Sequence, residues 1–164
     1  METTRDWVGV EGMNVFALIT WFVTVFAGLY LLAVWLIEYD IGAPGGAVSR
    51  LPRTVVSGHV LLAASGLVVW IGYLIVDRDL LAWIALATLV AAALLGFTML
   101  GRWIMVRRAI SAAVRARPRD AFARARAPMP AESHFPIPMV VAHGLLAVST
   151  LTLVGLTCLG MGGS

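Results

Sequence analysis

Two stretches of the chain carry the same residues around a histidine. One reads His59-Val60-Leu61-Leu62-Ala63-Ala64-Ser65-Gly66-Leu67 and the other His143-Gly144-Leu145-Leu146-Ala147-Val148-Ser149-Thr150-Leu151, sharing the pattern His-x-Leu-Leu-Ala-x-Ser-x-Leu. Both lie inside long apolar runs. An ionisable ring is expensive to keep in hydrocarbon without a partner, so two rings at matched positions point to one shared partner. On a helix, residues four apart share a face, and both histidines have alanine there, Ala63 and Ala147, followed at the seventh place by Gly66 and Thr150. Such small neighbours leave space beside each ring for a flat ligand held between facing helices. Val55, Val56, Met139 and Val140 are placed to close one side of that pocket.

The chemistry open to the pair is limited by its ligand count. Zinc takes three or more protein ligands even in catalytic sites, and no carboxylate or thiolate lies at the depth of His59 and His143. Two imidazoles suit the two axial positions of a haem iron, with each ring's second nitrogen needing a hydrogen-bond acceptor. The sequence has no Cys-x-x-Cys-His, which excludes covalent attachment and leaves haem b, one group, as the candidate cofactor. Its propionates want cations and water, and Arg50, Arg53 and Arg102 are the candidates. Arg102 also has two ordinary readings, snorkelling to the headgroups or pairing with Glu38. The third histidine, His134, reads as a solvated loop residue whose ring is suited to proton exchange, a property also wanted at the edge of a quinone site. Cys158, the single cysteine, rules out an intrachain disulfide and reads as a small packing residue.

The elements that must position these residues are membrane helices. The chain is 60% hydrophobic with a mean hydropathy of +0.91, above ordinary soluble usage. Four stretches, 15–37, 54–76, 80–106 and 137–159, are each long enough for the ~20 residues a spanning helix needs. The expected fold is therefore a single four-helix transmembrane domain over residues 1–164, all-α, with an Arg-rich link at 107–136. No cleaved signal peptide is expected at the N-terminus. Spans two and four run the same way, and both histidines lie six or seven residues into their helices, about 9–10 Å at 1.5 Å per residue. The two rings are thus expected at one level.

All twelve basic residues are arginine, and they are concentrated in the first and third links, where Arg50, Arg53, Arg107, Arg108, Arg115, Arg117, Arg119, Arg124 and Arg126 fall. Only Arg5 and Arg78 lie on the other side. The positive-inside bias then predicts both long links in the cytoplasm and both termini outside, in a plasma membrane. The high pI reflects this topology and gives no reason to expect nucleic-acid binding. Arginines beside a span attract anionic headgroups, and an acidic soluble partner is the alternative occupant. Gly28, Leu32 and Trp35 recur at the same spacing as Gly96, Leu100 and Trp103. The odd spans are offset by 68 residues and the even ones by 84, so two tandem helical hairpins related by a pseudo-twofold axis along the membrane normal are expected. Asp77-Arg78-Asp79 leaves room for only a tight turn between the hairpins, and the start of the third link is expected to continue span three as a helix. Gly155, Gly160, Gly162 and Gly163 offer small residues for packing on a neighbour.

On the four-span plan and the pair His59 and His143, the chain resembles the four-helix membrane cytochromes that hold haem b between two histidines. That group includes the cytochrome b561 family and the haem-bearing anchors of quinone-linked dehydrogenases. The resemblance implies electron transfer between a quinone and a partner protein, as a subunit of a membrane redox complex. Two-haem members use four histidine ligands and this membrane domain offers two, so a single haem is implied here. Two other readings stand beside it. One is a haem-free scaffold or accessory subunit, with the histidines bonded to hydroxyls or to each other. The other is a small transporter that oligomerises.

Overall fold

A computed structural model describes residues 3–38, 49, 51–115 and 130–160. Among the positions singled out above, Arg50, Arg117, Arg119, Arg124, Arg126, Gly162 and Gly163 lie outside the described residues. The described chain forms four long helices, α1 (Thr3–Glu38), α2 (Arg53–Val76), α3 (Asp79–Arg115) and α4 (Ile137–Cys158), with a short 3-10 turn at Ala131–His134. There are no strands among these residues. All four helices are long and apolar enough to cross a membrane, the apolar spans being Gly12–Glu38, Arg53–Val76, Asp79–Ala112 and Ile137–Cys158. The protein is an all-α, four-helix membrane protein.

The helix ends follow from local chemistry. Pro52 and Pro136 cap the starts of α2 and α4 in extended geometry, and Pro138 occupies the first turn of α4, where a missing N–H removes nothing the helix would use. α2 stops at Asp77, whose φ of 52° is left-handed and whose backbone N–H bonds the carbonyl of Tyr73 at 2.8 Å. Asp is one of the few side chains that tolerates this conformation. Asp79 then opens α3 with a negative charge against the positive end of the helix dipole. As expected, α3 runs on past its apolar stretch, reaching Arg115.

Around the bundle the helices follow chain order. α2 packs most extensively on α3 and α1 on α4, with smaller α1–α2 and α3–α4 contacts, so α2 and α4 lie on a diagonal. Small residues are turned inward, with Ala17, Ala82, Ala85, Ala92 and Gly66 buried. Large ones are turned out, including Phe16, Phe26, Leu61 and Phe97. Lipid is as apolar as leucine and gives no drive to hide large side chains, so close backbone approach governs the packing. The interior is divided into two apolar clusters. One, built on Trp35, Leu51, Val56, Trp103, Ala131 and Phe135, closes the end where the long links lie. The other, built on Trp21, Leu67, Trp70, Tyr73, Leu89 and Val154, fills the opposite half.

Gly66 lies where α2 meets two neighbours at once. A Cβ there would stand 2.6 Å from Thr88 Oγ1 and 3.0 Å from Trp21 Cζ2, whereas a Cβ on Gly101 would meet nothing within 4 Å. Gly66→Ala is therefore expected to lower stability by about 1–3 kcal/mol through overpacking. Gly101→Ala should be neutral or gain up to ~1 kcal/mol of helix propensity. Thermal unfolding in detergent followed by circular dichroism compares the two variants directly.

Candidate functional site

Between the two apolar clusters the bundle holds its histidines. The rings of His59 and His143 meet across the α2–α4 diagonal with centres 6.2 Å apart and planes inclined at 69°, edge toward face. They therefore occupy one level, as the order of the spans requires. Neither ring bonds the other or a hydroxyl. His59 Nδ1 lies 2.8 Å from the carbonyl oxygen of Ala92 on α3, and His143 Nδ1 lies 3.0 Å from that of Thr24 on α1. A carbonyl only accepts, so each Nδ1 carries the proton and donates it. Nε2 of each neutral ring is left with its lone pair free to ligate.

The two halves of the site are built alike. The accepting carbonyls belong to positions 24 and 92, which are 68 residues apart. One helical turn further along, each ring lies against a glycine at the same offset. A Cβ on Gly28 would come within 3.0 Å of His143 Cε1, and one on Gly96 within 3.2 Å of His59 Cε1. Tight helix packing thus seats each imidazole where only a hydrogen stands in its way. The histidine–carbonyl bond and the glycine contact that join α4 to α1 are repeated between α2 and α3.

This separation can be tested against metal ligation. Imidazole nitrogen bonds a first-row metal ion at ~2.0–2.1 Å, and with about 1.1 Å from nitrogen to ring centre, two rings on opposite sides of one ion stand about 6.2–6.4 Å apart. The observed 6.2 Å falls in that interval. No cluster of three or more histidine, cysteine or acidic side chains forms among the described residues. A centre held by His59 and His143 alone would have to bring its other ligands itself. The Nδ1–H bond to a carbonyl is the arrangement that orients a ligating histidine and raises its basicity.

The other sequence candidates are distributed as follows. Ala63 and Ala147 are half-buried one turn beyond the rings on the same helices. Gly66, two turns beyond His59, is occupied by Trp21 and Thr88 and serves helix packing. Thr150 is buried, bonds the carbonyl of Leu146, and approaches Thr24 Oγ1 at 3.4 Å. Of the four residues expected on the link side of the rings, Val56 and Val140 join the apolar cluster there, whereas Val55 and Met139 are half-buried outside it. Arg53 and Arg102 are exposed at that end, and neither is without a partner. Glu38 pairs with His134, Oε2 to Nδ1 at 3.5 Å. His134, expected in a plain loop, stands on the 3-10 turn.

Three groups here carry no signal in the sequence pattern of the histidines. The carbonyls of Thr24 and Ala92 are backbone atoms that any residue could supply. Gly28 and Gly96 were visible as a repeat, but only the fold shows that they seat the imidazoles. The third is a buried carboxylate at the link end. Glu132 is fully buried, and its Oε2 accepts a bond from Ser49 Oγ at 3.1 Å. Ser49 Oγ in turn accepts from Trp35 Nε1 at 2.9 Å and from the backbone N–H of Leu51 at 3.1 Å. These bonds tie the first link and the 3-10 turn together over the bundle mouth.

Both rings are expected in the Nδ1–H tautomer, which ring ¹⁵N chemical shifts of selectively labelled protein report. A protonated Nε2 at either position would contradict the hydrogen bonds to Ala92 and Thr24. Comparisons with protein-family models, with curated proteins and with solved structures find no match to this chain.

Proposed function

We propose that the protein is a membrane-embedded b-type cytochrome that carries electrons through one haem b ligated by His59 and His143. The observation that supports this most directly is the 6.2 Å between two imidazoles whose Nδ1 atoms are each committed to a carbonyl on a neighbouring helix. A haem b bound there supplies one-electron transfer between ferric and ferrous iron.

The chain's own residues have clear tasks in this reading. His59 and His143 would hold the iron through their free Nε2 atoms, and with both ligands from the protein the group would supply electron transfer without bond chemistry. The carbonyls of Thr24 and Ala92 hold the rings in one tautomer and one orientation. The apolar clusters on either side keep water from the level of the rings and lower the local dielectric. Arg53 and Arg102 at the link end, with Arg50, supply the cations for the propionates. The arginine asymmetry of the links favours a plasma-membrane protein with its long links in the cytoplasm and both termini outside. A quinone and the other subunits of a redox complex are the proposed electron partners, as the resemblance to bis-histidine membrane cytochromes implies.

A haem-free structural pair is the second reading, favoured by the fact that each Nδ1 is already satisfied by the protein. An absorption spectrum separates the two. Protein purified from haem-replete cells should show reduced-minus-oxidised haem b bands at one haem per chain, with low-spin character. His59→Ala and His143→Ala should each abolish them, and Gly96→Val, which drives a side chain into His59, should reduce them severely. Folded, colourless protein would favour the structural pair.

A further inference from the structure

We infer that the helical extension of α3 beyond Trp103 carries a specific site for the phosphodiester headgroup of an anionic phospholipid. The site is independent of the haem reading. An open groove of about 530 Å³ runs along one face of this helix, lined by Trp103, Ile104, Arg107, Arg108, Ser111 and Arg115. These residues recur every three or four positions, so they share one face. The lining offers three guanidinium groups and a hydroxyl, and it contains no acidic side chain. Arginine binds phosphate oxygens with paired N–H donors.

Two further observations point to an occupant. The indole Nε1 of Trp103 is buried with no acceptor among the described residues, and the residue is only 8% exposed. A buried donor left unpaired costs free energy, which a phosphate oxygen at the groove would recover; Trp70 Nε1 and Ser133 Oγ are unpaired in the same way, but only Trp103 lines an arginine groove. Its counterpart at the matched position of α1, Trp35, has one in Ser49 Oγ. The two helices differ just there. α1 ends at Glu38, three residues after its tryptophan, whereas α3 continues for twelve more residues to Arg115 and so builds the groove. In addition, the Arg107 guanidinium lies over the Trp103 ring, 5.3 Å from its centre, which holds that charge at the groove.

The depth identifies the source of the phosphate. At 1.5 Å per residue from Asp79, Trp103 stands ~36 Å along the helix and Arg107 ~42 Å. A hydrocarbon core of ~30 Å then places the tryptophan at the interface and the arginines among the headgroups. Ile104, half-buried beside Trp103, offers apolar surface on the side toward the chains, as an amphiphile requires.

Native mass spectrometry of the full chain in uncharged detergent tests this, with dioleoyl phosphatidylglycerol and dioleoyl phosphatidylcholine as probes. One phosphatidylglycerol should be retained at least about tenfold more strongly than phosphatidylcholine. Trp103→Phe keeps the ring beneath Arg107 and removes the donor, and should weaken phosphatidylglycerol about three- to tenfold. Arg107→Gln with Arg115→Gln should weaken it further, while Arg78→Gln, at the far turn, should leave it unchanged. Should Trp103→Phe fail to fold, exposed Arg108→Gln is expected to weaken the lipid in its place. Equal retention of the two lipids would overturn the site, as would an effect of Arg78→Gln as large as that of the groove variants. Displacement by millimolar inorganic phosphate would make it a soluble-anion site, and salt-reversible capture of an acidic peptide without lipid selectivity would make it a protein-docking face. Either result refutes the assignment.

Discussion

The hydrogen bond from each imidazole to a main-chain carbonyl on the adjacent helix is the constraint on which the interior depends. A helical carbonyl already accepts one bond from its own ladder and keeps a second lone pair. In a low-dielectric interior an unmatched ring N–H is penalised heavily, and the same medium strengthens the bond once it forms. His143 can reach Thr24, and His59 can reach Ala92, only if helix axes approach closely at that level, and Gly28 and Gly96 permit it. The two bonds thereby set the register of α4 on α1 and of α2 on α3, which are the two most extensive contacts in the bundle.

The remainder of the packing accommodates this polar layer. Trp21, Trp70 and Tyr73 fill one half, with Trp21 and Trp70 centres 6.5 Å apart and Trp70 and Tyr73 centres 4.9 Å apart. Trp35 and Trp103 fill the other. Hydroxyls elsewhere in the spans mostly bond back to their own helix, as Thr20, Thr88 and Ser149 do, which satisfies them without bridging helices. Cross-helix polar contacts are few among the described residues. Besides the histidine bonds they include the approach of Thr24 to Thr150 and the bond from Thr157 to Asn14 near the far end. Orientation within the bundle is thus set by a handful of polar groups and by small-residue contacts.

The ends of the bundle are asymmetric in a way that matters for partners. At the link end, Glu132, Ser49 and Trp35 form a buried network beneath the exposed Glu38–His134 pair, while α3, alone among the described helices, projects past this level with its arginines. Around the histidines the two helix pairs make the same carbonyl and glycine contacts, and they differ in how far α3 runs beyond Trp103. The proposed electron-carrying role uses what the halves share, the facing rings. The proposed lipid site uses what only α3 has.

The four spans, the tight turn at Asp77 and the common level of His59 and His143 were determined by the sequence itself. Length, apolarity and chain order decide them in a bilayer, where an unpaired backbone cannot survive and only whole helices cross. The extension of α3 was legible for a similar reason, since nothing in its Ala- and Arg-rich stretch interrupts a helix. Tertiary structure alone decided which partners the rings take, because a backbone carbonyl has no residue signature. It also decided that Gly66 is filled by Trp21 and Thr88, that Glu38 meets His134, and that Glu132 is buried. Those outcomes depend on helix rotation and crossing, which in lipid follow from close packing between neighbours and leave no periodic trace along one strand of sequence.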